Sequence, residues 1–256
     1  MSESTRWLRA ALPLLQRLER EAAGDLEAAS RLCADAIGSG GLVHLFGTGH
    51  SRIPLEEMFP RYGSYPGFQP LAELSMTFHT QVVGANGQRQ AMFIERVSGL
   101  ADAILANFDL AAPDALLVFS ASGRSAVPIE MAQGARSRGL PVIAVTSLAE
   151  SRAQPATHPA GRLCDLADVT IDLGTPPGDA LVAVDGWEAP VGPGSTMANV
   201  AVVNCLKVRT AELLAERGVE LPVLSAASVV GRERSEQLFD AAYREHARRA
   251  SAALSR

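Results

Sequence analysis

Cysteine is scarce: Cys33, Cys164 and Cys205 are the only three in 256 residues, and they lie far apart with no CxxC pair. That pattern excludes a disulfide framework and a thiolate zinc ribbon. It suits a reducing compartment, with the three expected as small buried hydrophobes. Positive charge is not in excess either, since 23 Lys and Arg against 28 Asp and Glu give −5. No nucleic-acid binding that relies on overall basicity is expected. The opening stretch, "MSESTRWLRAALPLLQRLERE", is rich in charges and has no long apolar core. It reads as neither a signal peptide nor a membrane span, so a soluble, cytoplasmic chain with no membrane partner is expected.

Three ligand or nucleophile motifs are missing as well. No Gly-Lys-Ser/Thr tripeptide supplies a P-loop. After Gly47 and Gly49 the dinucleotide fingerprint needs a third glycine, and Arg52 stands there. Gly49-His50-Ser51-Arg52-Ile53 has the first glycine of a nucleophile elbow and not the second. The histidines and cysteines show no metal-ligand spacing. Neither a metal nor another cofactor is expected.

What is present is the pattern of an α/β domain. Hydrophobic residues at 47% and charged residues at 20% match a globular protein, and a chain this long buries most of its unfolded surface. Apolar side chains at helical spacing run from residue 5 to 37, with a kink or a start expected at Pro13 and an end at Gly38-Ser39-Gly40-Gly41. "LVHLF" (42–46), "ALLVFS" (115–120) and "PVIAVTS" (141–147) read as buried strands, with a helix over 124–138 between the last two. A strand, a helix and a strand within about 32 residues imply a parallel crossover. "VTIDL" (169–173) and "ALVAVDG" (180–186) read as further strands, and 195–217 and 232–252 as closing helices. The expectation is a single domain over 1–256: a doubly wound, mainly parallel α/β sheet with a core at about 30–217. An N-terminal helix (1–29) and a C-terminal helical extension (218–256) flank that core.

In open parallel sheets ligands bind beyond the carboxyl ends of the strands. Two such ends are rich in glycine and hydroxyls: Gly47-Thr48-Gly49-His50-Ser51, and Ser120-Ala121-Ser122-Gly123-Arg124-Ser125. Glycine admits close backbone approach, and free N–H groups at a helix start attract an anion. Each loop alone reads equally as an ordinary capped helix start; together they suggest a phosphate cradle. Arg52 and Arg124 adjoin the loops, where a guanidinium pairs with phosphate or points to solvent. A third loop carries Gly192, Gly194, Ser195 and Thr196 before a long helix, where Ser195 or Thr196 makes a credible cap.

The S-x-S-G-x-S stretch after a strand resembles the phosphate loop of the sugar isomerase (SIS) domain, and Gly47-Thr48-Gly49-His50-Ser51 resembles that domain's first loop. "GST" at the start of a late helix fits as well. "AVPIEMA", "THPAGRLCDLADVTID" and "PPGDALVAVDG" are similar to the UPF0309 group of bacterial proteins. The resemblance implies an αβα sandwich that binds a phosphorylated sugar as a homodimer or homotetramer. It implies that Ser120, Ser122 and Ser125 hold the phosphate, aided by the backbone of Gly123. Gly47, Thr48, Gly49, Ser51, Ser195 and Thr196 would line the same site.

Aldose–ketose isomerisation needs a base beside the carbonyl and a group that moves a proton between oxygens. "LEEMFPRY" resembles the segment of phosphoheptose isomerases whose second glutamate is an acid/base, which implies Glu57. "AMFIERVSGLADAIL" resembles a region of N-acetylmuramic acid 6-phosphate etherases in which a catalytic glutamate precedes glycine. Ser98 fills that slot here, leaving Glu95 as a lesser candidate. His50 is the candidate second proton carrier, and His79 is weaker. The late helix lacks the paired histidines of phosphoheptose isomerases, Asn199 and Asn204 being its nearest polar residues. An isomerase is therefore expected, with a phosphosugar lyase or a non-catalytic phosphosugar sensor as alternatives.

Overall fold

In this computed structural model the described residues are 3–59, 61–77 and 87–254; His79 lies outside them. The chain opens with helices α1 (Arg6–Glu21) and α2 (Ala23–Gly38), followed by strand β1 (Val43–Gly47), α3 (Ile53–Met58) and β2 (Phe68–Pro70). Next come α4 (Gln88–Ile94), α5 (Leu100–Leu105), β3 (Ala115–Phe119), α6 (Ala126–Ser137) and β4 (Val142–Thr146). Short α7 (Leu148–Arg152) and α8 (Leu163–Leu166) lead to β5 (Val169–Asp172) and then to β6 (Ala180–Val182) and β7 (Val191–Pro193). The long α9 (Ser195–Glu216), short α10 (Ala227–Val230) and α11 (Arg232–Ala253) complete the order.

Five strands form one parallel sheet in the order β2-β1-β3-β4-β5. The winding reverses between β1 and β3, so the crevice beyond their carboxyl ends is the switch point of a doubly wound α/β fold. The two-residue period of the strands sorts their side chains between two cores. Val43, Leu45, Leu117, Phe119, Ile143 and Val145 face α2 and α9. Leu42, Phe46, Leu116, Val118, Val142 and Ala144 face α5 and α6. Nearly all are fully buried, and burying a side chain of this size contributes about 1.5–3 kcal/mol.

Three expectations need correction. The break in the N-terminal helical stretch falls at Ala22, not at Pro13, which lies inside α1 on an exposed position where water can reach the carbonyl left without an N–H partner. The strand expected over 180–186 ends at Val182 and pairs antiparallel with β7, outside the main sheet. The cap expected from Ser195 or Thr196 comes from Asp179 instead. Its Oδ1 accepts the N–H groups of Gly194 (3.1 Å) and Ser195 (2.7 Å), and its Oδ2 accepts the Ser195 hydroxyl (2.5 Å).

The C-terminal helix is pinned at its far end. Arg249, 6% exposed, donates through Nη1 to the carbonyls of Ile37 (2.8 Å) and Gly41 (2.7 Å). The Asp109 N–H meets the Ala253 carbonyl at 2.9 Å. Among the described residues, no helix is long and apolar enough to cross a membrane.

Candidate functional site at the sheet switch point

β1 delivers Gly47, Thr48, Gly49 and Ser51 to the carboxyl edge of the sheet. Gly47 has no room for a Cβ, which would strike the carbonyl oxygen of Ser51. β3 delivers the second loop. There the Ser120 hydroxyl accepts the Gly123 N–H (3.2 Å), the Ser122 hydroxyl accepts the Arg124 N–H (3.4 Å), and Thr146 donates to the Ala121 carbonyl (3.2 Å). Gly123 sits at φ 57°, and a Cβ there would stand 2.9 Å from Thr146 Oγ1. The loop is therefore wound tightly over β4 by a residue that only glycine fills without strain.

Glu95, the C-cap of α4, lies between the two loops. Its Oε2 accepts the Thr48 hydroxyl (2.5 Å) and its Oε1 accepts the Ser125 hydroxyl (2.9 Å), while its carbonyl takes the Val127 N–H at 3.0 Å. Two adjoining cavities open around this carboxylate, sharing Met92, Glu95, Ser122 and Glu150 as walls. The larger, about 760 Å³, adds Arg96, Arg124, Ser125 and His158. The smaller, about 400 Å³, adds Thr48, Ser51, Ser120 and Asp179. Arg124 is held at the wall by Gln154 (2.7 Å) and Glu150 (3.0 Å).

Several expected residues lie apart from this centre. Glu57 lines neither cavity. It pairs with Arg61 and accepts Asn204 Nδ2 at 3.3 Å, on the side of the sheet where α3 packs against α9. Burial pushes its carboxyl up, but Arg61 and Asn204, with Lys207 nearby, outweigh that and hold it below the usual carboxylate range. Buried Lys207 donates to the Glu57 carbonyl (2.9 Å), and burial pushes its ammonium down. His50 is exposed and lines neither cavity, and Arg52 pairs with Glu56. Ser195 is buried against Asp179, with Thr196 beside it in the first turn of α9. No group of three or more His, Cys, Asp or Glu among the described residues is placed to hold a metal ion.

Glu150 and Asp179 were not among the residues expected from sequence. Glu150 bonds Arg124 through one oxygen and the Gly178 N–H (2.7 Å) through the other, tying the Arg124 loop to the Gly178 loop. Asp179 holds φ 65°, the one positive φ outside glycine among the described residues. For a non-glycine residue that conformation marks local strain and draws attention to a site.

A doubly wound parallel sheet with two hydroxyl- and glycine-rich loops meeting at its switch point defines a SIS-type α/β protein. The SIS domain family model matches residues 6–147. The UPF0309 protein SCO4393 of Streptomyces coelicolor is 38% identical over 228 residues, covering 88% of each chain. The UPF0309 protein GK1441 of Geobacillus kaustophilus is 33% identical over 222 residues, covering 86% of each. The chain belongs to the SIS domain family and, within it, to the UPF0309 group. Among solved structures, a phosphoheptose isomerase from Francisella tularensis has a TM-score of 0.55 at 14% identity, covering 83% of this chain and all of that one. A phosphoheptose isomerase from Neisseria gonorrhoeae has a TM-score of 0.52 at 16% identity, covering 82% of this chain and 96% of that one. At these identities the likeness is one of fold.

Proposed function

We propose that the chain binds a phosphorylated sugar at the switch point and isomerises it through an enediol. The observation that carries the reading is Glu95, a carboxylate hydrogen-bonded to hydroxyls of both loops at the wall shared by both cavities. The Ser120–Ser125 loop at the start of α6 offers hydroxyls and N–H groups to a phosphate, and Arg124 adds positive charge. Glu95 then takes the proton from the carbon beside the carbonyl. The same cavities support phosphate binding by Ser122, Ser125 and the backbone of Gly123, with Thr48 and Ser51 on the sugar side.

Residues 1–256 are proposed to act as one domain, since Leu18 of α1 and Ala253 of α11 are both buried in the two cores of the sheet. A cytoplasmic homodimer or homotetramer is proposed, with exposed Val208 on α9 as part of the contact. A second copy on that face would bring Glu57 to a subunit boundary.

Proton NMR in D2O with pentose, hexose, heptose and amino-sugar phosphates tests the reading. The expected result is loss of one sugar's C2 proton signal with the wild type and with Glu57→Gln, and no loss with Glu95→Gln. Loss abolished by Glu57→Gln alone would move the base to Glu57, acting across the boundary. Binding without exchange would favour the sensor, and an eliminated substituent in the product would favour the lyase.

A further inference from the structure

The two cavities differ in charge. The larger has Arg96 and Arg124 in its walls beside Glu95 and Glu150, whereas the smaller has Glu95, Glu150 and Asp179 and, among the described residues, no cationic side chain. An anion is therefore favoured on the Arg124 side of Ser122 and opposed on the Asp179 side. Asp179 itself is held in place by α9. Its Oδ1 is taken by two N–H groups, while Oδ2 accepts the Ser195 hydroxyl and no other donor among the described residues, so a residue that lines the smaller cavity retains acceptor capacity. Glu150 fixes the preceding residue, Gly178, from the opposite side. The result is a strained but over-determined carboxylate in the wall of the smaller cavity, which Arg124 does not line.

We infer that Asp179, oriented by Ser195, is the recognition point for the far end of the ligand, and that it sets the substrate class. That end carries hydrogen-bond donors, hydroxyl or amine, and no negative charge. Resting on the phosphosugar reading, the inference fixes the ligand's direction: the single phosphate lies on the Arg124 side and the donor-bearing end against Asp179. Sugar bisphosphates and phosphorylated sugar acids, which carry an anion at both ends, are excluded.

The test is calorimetric binding of inorganic phosphate, a panel of monophosphates of neutral pentoses, hexoses and heptoses, fructose 1,6-bisphosphate and 6-phosphogluconate. Each is measured with the wild type, Asp179→Asn and Ser195→Ala, after thermal melts confirm folding. Asparagine tolerates positive φ and can still accept the α9 N–H groups, so the first variant changes charge with little change of shape. Inorganic phosphate is expected to bind all three proteins alike. At least one monophosphate of a neutral sugar should bind the wild type more tightly than phosphate does. It should then lose roughly 10- to 100-fold in Asp179→Asn, the range for a hydrogen bond to a charged group. Ser195→Ala, which frees the carboxylate, should lose less. The two doubly anionic ligands should bind the wild type more weakly than that monophosphate and gain in Asp179→Asn. A monophosphate advantage that survives Asp179→Asn, or a bisphosphate that binds the wild type equally well, overturns the inference and leaves the phosphosugar reading intact. Failure of phosphate and of every sugar phosphate to bind the wild type overturns both.

Discussion

Glu95 grips Thr48 with one carboxylate oxygen and Ser125 with the other, at 2.5 and 2.9 Å. The two hydroxyls come from loops that leave different strands at the switch point, so the carboxylate both braces the site and faces it. These roles separate by substitution. Glu95→Gln keeps one acceptor and should bind sugar phosphate while losing about 100- to 10,000-fold in proton exchange. Glu95→Ala should in addition lower unfolding free energy by about 1–3 kcal/mol, because both hydroxyls lose a charged acceptor. Equal stability of the two variants in urea titrations would show that the brace is dispensable.

The proposed phosphate loop has its own pair of contrasting variants. Ser122→Ala removes a hydroxyl whose bond from the Arg124 N–H is long, at 3.4 Å, so its melting temperature should stay near wild type while phosphate affinity falls. Gly123→Ala places a Cβ 2.9 Å from Thr146 Oγ1 at φ 57°. Forcing alanine into that conformation costs about 1–2 kcal/mol before the clash is counted, so both stability and affinity should fall. Calorimetry and thermal melts on the two proteins check the contrast.

Acid stability should depend on the C-terminal helix. Hydrogen bonds from Arg248 (2.7 Å) and Arg249 (2.7 Å) hold the Glu245 carboxyl down to about 2, with burial opposing them. A depressed carboxyl stabilises the fold fully above its unfolded value of about 4.3 and ceases to do so as pH falls through its folded value. Glu245→Gln should therefore be less stable than wild type by a constant margin above about pH 5. The margin should close between about pH 4 and pH 2. Parallel curves throughout the acid limb would refute the assignment.

Thiol reactivity should divide the three cysteines. Cys33 is fully buried, and burial pushes its thiol up to about 12, whereas Cys205 is exposed and Cys164 lies between. Titration of the native protein with Ellman's reagent should label at most two thiols, with the third appearing on denaturation. Cys33→Ser should leave the native count unchanged. Three rapidly reacting thiols would contradict the packing of α2.

Much of this architecture was legible beforehand, and the limits have physical causes. The strands at 43–47, 115–119 and 142–146 were read to within a residue or so at each end, because a strand covered on both faces is a continuous apolar run. β2 escaped, being three residues at a sheet edge that end in Pro70. The two glycine- and hydroxyl-rich loops beyond β1 and β3 were picked out from composition alone. That Glu57 and Glu95 lie on opposite sides of the sheet was not, because a motif names neighbours in sequence and not the side of the sheet they reach. Leu55 and Met58 send α3 into the core against α9, while the helix ending at Ile94 packs on the opposite core and leaves Glu95 beside α6. Asp179 was invisible for a related reason. Its partners stand 15 and 16 residues away and meet it only when β6 and β7 pair.

The grip of Arg249 on the carbonyls of Ile37 and Gly41 spans 212 and 208 positions of chain. A ribosome adding about 5–20 residues per second needs roughly 10–40 s to cover that distance. Through that interval the entrance to the first strand waits, its acceptors turned to water, for a guanidinium not yet synthesised. Birth order and assembly order thus run opposite ways at this corner: one of the earliest strands is among the last places to be sealed.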